Sequence, residues 1–170
     1  MAEEMGSEET TEEAERLRAE LVEDLVADET IKTEAVRNAF RAVPRHLFVP
    51  EASLADAYAR FAVTTRTDER GQATSSVSDP HIQAVMLELA GIEPGMSVLE
   101  IGSGGYNAAL IQELVSATGS VLSVDIDAVV VDRAHWDNLM AMQKFLGNLK
   151  GTTTFDQIVD NSFAEKAKAS

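Results

Sequence analysis

A chain of 170 residues, 45% of them hydrophobic, is long enough to bury one proper core. With no cysteine it has no disulfide, no thiol nucleophile and no cysteine-type zinc site. A formal net charge of −15 disfavours nucleic acid and anionic membranes as partners and leaves a neutral or basic peptide as the preferred kind.

Residues 1–9 are acidic and short of apolar side chains, so a flexible tail is expected there. They look nothing like a basic, apolar secretory signal, and no later apolar run could span a bilayer, which points to the cytoplasm. Thr10 and Glu13 match a capping box. The helix it starts carries Leu17, Leu21 and Leu25 on one stripe, with Ala14 and Val22 beside it. Thr33 caps a second helix with Val36, Ala39, Phe40 and Val43 as its apolar positions, and Pro44 ends it. Residues 45–50 read as an extended, turn-like link and 54–59 as a short helical turn. Residues 68–78 are polar and loop-like. Together, 10–78 form an amino-terminal helical cap and loop.

Ser78 or Asp79 then caps a helix with Pro80 in its first turn. Ile82, Val85, Met86 and Leu89 form its apolar face, Gly91 ends it, and Pro94-Gly95 turns the chain into a strand. That strand, residues 98–101, is β-prone apart from Glu100, and it runs into Gly102-Ser103-Gly104-Gly105 and a helix over 107–115. Ala108, Ile111, Leu114 and Val115 are that helix's candidates for burial. Gly119 is read as its C′ residue. Residues 120–125 form a second strand that ends in Asp125, roughly twenty residues past the glycine turn.

Strand, tight turn and helix amino terminus begin a nucleotide-binding α/β unit. In a dinucleotide site the turn receives a pyrophosphate, which a carboxylate just before it would repel. Glu100 lies two residues before Gly102, and Asn107 stands where the third glycine of that pattern belongs. A carboxylate there suits a ligand with a cation near the turn, and S-adenosylmethionine carries an ammonium and a sulfonium. Asp125 suits the ribose hydroxyls of either cofactor, so Glu100 makes the distinction.

Residues 129–149 read as a long helix, 152–159 as a strand and 161–170 as a polar tail. The sheet then ends early, which leaves an open edge suited to self-association. His46, His81 and His135 lack metal-ligand spacing, so no metal is expected. His46 is read as structural, and His81 as a partly exposed helix position or, in the alternative, a residue lining the site.

Three ordered motifs carry a family resemblance: Val43-Pro44-Arg45-His46-Leu47-Phe48-Val49-Pro50, Ser78-Asp79-Pro80-His81, and residues 98–109 from Val98-Leu99-Glu100 through the glycine turn to Ala108-Ala109. Over residues 33–134 the chain resembles protein-L-isoaspartate O-methyltransferases, class I S-adenosylmethionine-dependent enzymes. The resemblance implies a Rossmann-like α/β fold and methyl transfer to an aspartyl or isoaspartyl carboxylate of a protein or peptide. It makes Ser78 the active-site serine of a Ser-x-Pro motif. It also implies cofactor contacts from Ser75, Gln83, Glu100, Gly102, Ser103, Gly104, Gly105 and Asp125. The glycine turn is one residue shorter than the common form, a spelling similar to the branch that modifies ribosomally made peptides.

The expectation is therefore a single α/β domain over 10–170, with a cofactor-binding βαβ part at 79–134 and a truncated or divergent part at 135–170. Two alternatives stay open. One is a weak or inactive cofactor- or partner-binding fragment of such an enzyme. The other is a nicotinamide-dependent oxidoreductase, disfavoured by Glu100 and the missing third glycine.

Overall fold

The computed structural model of the protein describes residues 2–102 and 104–124. Ser103, Asp125 and the helix, strand and tail expected beyond it lie outside the described residues. The chain divides into two compact units at Gly91/Ile92.

The first unit opens with α1 (Ala2–Ala27). This helix begins well before the expected cap at Thr10, so the acidic segment read as a flexible tail is helical from Ala2. Alanine, glutamate and methionine are good helix formers, and acidic residues near an amino terminus complement the helix dipole. Ala14, Leu21, Val22 and Leu25 are buried, while Leu17, also expected on the stripe, is only partly covered. α2 (Glu34–Ala42) starts at Thr33, whose hydroxyl accepts the Val36 amide hydrogen, and it buries Val36, Ala39 and Phe40 against α1. The link expected to be extended and turn-like takes the form of a 3₁₀ turn, Arg45–Phe48, with Pro44 before it. α3 (Leu54–Ala57) follows, capped by Ser53.

The segment read as a polar loop holds the turn and second strand of a β-hairpin whose first strand precedes it. β1 (Val63–Thr67) pairs antiparallel with β2 (Ala73–Val77), with irregular register around Arg66. Only Val63 and Val77, paired with each other at its base, are buried. The threonines and serines between them leave no alternation of apolar residues to read. Asp68 organises the turn by accepting the amide hydrogens of Arg70 and Gln72, both at 2.8 Å.

α4 (Pro80–Ala90) ends at Gly91 in the left-handed region, as expected. Its burial is not as expected. The helix buries Pro80, Gln83, Ala84 and Leu87, while Ile82 and Met86 are half exposed and Leu89 is 83% exposed. Both series have i, i+3, i+4, i+7 spacing, and two polar attachments select the less apolar one. Gln83 Oε1 accepts from Arg45 at 3.0 Å, and Glu88 Oε1 accepts the Lys32 and Thr33 amide hydrogens at 2.8 Å each. α4 thus belongs to the helical unit, and the boundary falls at Gly91 rather than at residue 78.

In the second unit, β3 (Ser97–Ile101) and β4 (Ser120–Val124) pair in parallel and in register, joined through α5 (Tyr106–Val115). This is the expected βαβ order. α5 packs on both strands and buries Tyr106, Asn107, Ala109, Leu110, Ile111, Leu114 and Val115; Ala108, an expected core position, is only partly covered. On β3, Glu100 is buried, whereas Leu99 and Ile101 are exposed, as is Leu122 on β4. Among the described residues this strand is therefore covered on one face only.

Gly119 is not a left-handed C′ residue. Its backbone is extended, a 3₁₀ turn (Ser116–Thr118) precedes it, and Ser116 takes the positive φ of 60°. Space makes it glycine, since a Cβ there would lie 2.5 Å from Val115 Cβ and 2.6 Å from the Met96 carbonyl oxygen.

Candidate functional site

The parallel register sets Glu100 of β3 beside Ser123 of β4, at the carboxyl end of the strand pair. The Ser123 hydroxyl donates to Glu100 Oε2 at 2.6 Å, and Glu100 is only 9% exposed. Among the described residues no cation lies within ion-pair distance of this carboxylate. A buried carboxylate held by one neutral donor is costly unless a cation joins it.

The chain then turns at Gly102, with φ at +80°, and Gly105, with φ at +86°, conformations that side-chain-bearing residues rarely adopt. Among the described residues nothing lies within 4 Å of where a Gly102 Cβ would stand, so they leave the main chain open to close approach. Gly105 is the N-cap of α5 and supplies no side-chain acceptor. Asn107, in the first turn, is 7% exposed, and its Oδ1 finds no donor among the described residues. The Glu100 carboxylate and Asn107 Oδ1 thus place acceptors beside this turn. That chemistry fits a ligand with an ammonium or other donors and opposes a pyrophosphate.

In the first unit, Asp79 caps α4, accepting the His81 amide hydrogen at 2.7 Å. Ser78 is exposed and is not the cap, so its hydroxyl is not spent on the helix. Beneath it lies Arg45, fully buried, a member of the residue 43–50 motif. Its Nε donates to the Ala57 carbonyl at 2.8 Å, its Nη1 to Gln83 Oε1 at 3.0 Å and its Nη2 to the Ser78 carbonyl at 2.9 Å, with a longer bond to the Val77 carbonyl at 3.4 Å. The carbonyl side of Gln83 is therefore committed to Arg45. Ser75 sits on β2 opposite Arg66, partly covered.

His81 joins a polar cluster. The Thr30 hydroxyl donates to Asp28 Oδ1 at 2.5 Å, and His81 Nδ1 lies 3.0 Å from the same hydroxyl oxygen and 3.4 Å from Arg60 Nη2. Thr30 and then Arg60 hold the Asp28 carboxyl at about 2, below its ordinary 3.8. His46 contacts the Tyr58 hydroxyl through Nδ1 at 2.7 Å, and burial, aided by the Arg18 charge, pushes its imidazole below 6.5.

Residues 15–144, more than half of the chain, match the family model of protein-L-isoaspartate(D-aspartate) O-methyltransferase. The chain belongs to this family. Among named protein-L-isoaspartate O-methyltransferases, it is 41% identical over 119 residues to that of Methanothermobacter thermautotrophicus, covering 69% of this chain and 52% of the relative. It is 45% identical over 107 residues to that of Pyrococcus horikoshii, covering 61% and 44%. A solved protein-L-isoaspartate O-methyltransferase matches with a TM-score of 0.57 at 29% identity, over 76% of this chain and 39% of that one. A structure from Plasmodium falciparum, in complex with S-adenosyl-L-homocysteine, shares the fold with a TM-score of 0.60 at 18% identity, over 87% and 67%. The chain spans about half the length of the curated relatives it matches. The fold is accordingly the α/β class I methyltransferase fold of the protein-L-isoaspartate O-methyltransferases.

Among the described residues no helix is long and apolar enough to cross a membrane, and no group of three or more metal-ligating side chains comes together.

Proposed function

We propose that the chain is an S-adenosylmethionine-dependent O-methyltransferase, acting on an aspartyl or isoaspartyl side-chain carboxylate of a protein or peptide. The observation that carries this reading is the buried Glu100 carboxylate, held by Ser123 and lacking a described cation, next to an open glycine turn. Family membership supports the same activity.

Glu100 receives the cationic amino-acid end of the cofactor, while Gly102, Ser103, Gly104 and Gly105 give the close approach. Asp125 accepts from the ribose hydroxyls. Ser75 and Gln83 contribute further cofactor contacts, Gln83 through its amide NH₂ group, since its oxygen is taken by Arg45. When bound, S-adenosylmethionine supplies an electrophilic methyl group on a sulfonium. The acceptor carboxylate is ionised near neutral pH, so no general base is needed. Ser78 donates a hydrogen bond that holds this carboxylate, and orientation of that kind supplies on the order of several kcal/mol. Charge is neutralised as the methyl group moves, so the site works best when water is excluded.

Isothermal titration with S-adenosyl-L-homocysteine and with NAD tests the reading. S-adenosyl-L-homocysteine binds and NAD does not, and Asp125→Ala weakens binding by about tenfold or more, as loss of a charged acceptor predicts. Tighter binding of NAD would assign the chain to the oxidoreductase class instead.

A further inference from the structure

We propose that Ser123 is the positioning residue that aims Glu100, and that the pair selects ligands by their ammonium group. The inference rests on the cofactor reading above and adds to it a residue whose identity as a serine is then functional.

An ionised carboxylate only accepts hydrogen bonds, so the 2.6 Å contact has one polarity: Ser123 Oγ–H donates to Glu100 Oε2. Hydrogen bonds to an ionised acceptor are the short, strong kind. With Glu100 9% exposed, solvent does little to orient the carboxylate. The hydroxyl fixes one oxygen, which leaves Oε1 as the acceptor that a cation can engage. The register makes this possible, because residues paired across parallel strands present their side chains on the same face, here the face on which Glu100 is buried.

The same sheet contains a natural control. At the amino end of the strands, Ser120 pairs with Ser97, and the Ser120 hydroxyl donates to the Ser97 hydroxyl at 3.0 Å. This second serine contact lies three residues, about 10 Å, back along the strands. If cross-strand hydroxyls merely steady the sheet, the two pairs should behave alike. If Ser123 aims a carboxylate, only it should affect ligand choice.

The experiment measures calorimetric affinity for two probes. S-adenosyl-L-homocysteine carries the ammonium-bearing amino-acid end; 5′-methylthioadenosine keeps the adenosine and the thioether but lacks that end. We expect Ser123→Ala to weaken S-adenosyl-L-homocysteine by about tenfold, the loss typical of a hydrogen bond to a charged group, and to leave 5′-methylthioadenosine unchanged. Ser123→Thr, which keeps the hydroxyl, restores the difference, and Ser120→Ala changes neither affinity. In a Glu100→Gln background, Ser123→Ala adds no further selective loss, because the two side chains act as one unit. Equal weakening of both probes, no weakening of either, or selective loss in Ser120→Ala would overturn the assignment. Should Ser123→Ala not fold, Ser123→Thr against Ser123→Cys makes the same comparison, a hydroxyl donor against a weak thiol donor of similar size. If the unaltered chain binds neither probe, the cofactor reading fails and this inference with it. If it binds both and Ser123→Ala is silent, only this inference fails.

Discussion

Ser78 and Asp79 are neighbours with different work. Asp79 spends its carboxylate on the amino end of α4, and Ser78 has its carbonyl held by Arg45 while its hydroxyl is not the cap. Asp79→Ala should therefore lose about 1 kcal/mol of stability, as N-cap removal does. Ser78→Ala should melt with the parent protein and bind S-adenosyl-L-homocysteine equally well, yet lose methyl transfer to an isoaspartyl peptide. A drop in melting temperature in Ser78→Ala matching that of Asp79→Ala would return the serine to a structural role. Asp28 supplies a pH dependence. Its folded value of about 2 lies below the ordinary 3.8, so its contribution is full above about pH 4 and is lost as pH falls through 2. Melting curves from pH 5 to pH 2 should fall less steeply in Asp28→Asn than in the parent. Parallel slopes would show that the Thr30 and Arg60 contacts do not hold that carboxylate in solution.

At the scale of elements, α4 shows why apolar periodicity misled. Two stripes with the same spacing run along it, and the more apolar one is the exposed one. Arg45 at one end and the Lys32 and Thr33 amides at the other take Gln83 and Glu88, and a helix pinned at both ends cannot rotate to bury Leu89. Leu87→Ala should cost about 2–5 kcal/mol as a buried truncation. Leu89→Ala should stay within about 0.5 kcal/mol. Chemical denaturation of both variants checks this, and a larger loss in Leu89→Ala would mean that the other stripe is the buried one. The hairpin was missed for a related reason. Its strands are written in threonine and serine, and a ladder that buries only one valine pair leaves hardly any hydrophobic signal.

For the molecule as a whole, Arg45 is the residue on which the first unit converges, joining α3, the end of β2, the Ser78 segment and α4 through one buried guanidinium. Arg45→Met keeps most of the volume but strands those carbonyls, and should cost more than about 3 kcal/mol, since each abandoned buried acceptor costs about 1–3. A variant that unfolds at the parent's denaturant midpoint would show that water replaces the guanidinium at little cost. The βαβ order around Glu100, the cap at Thr33, a cap at Ser78 or Asp79, the helix end at Gly91 and the family are legible in the chain, because each is written in local chemistry: a capping oxygen, a residue without Cβ, an acid before a glycine turn. Only the tertiary structure decided which face of α4 is buried, that Gly119 is demanded by space rather than by backbone angle, that Arg45 lies under Ser78, and that Ser123 grips Glu100. These depend on atoms between 4 and 56 positions apart in the chain meeting at a few ångströms. No local pattern encodes such a meeting, because it is fixed by how the elements pack and by which polar groups would otherwise be buried unpaired.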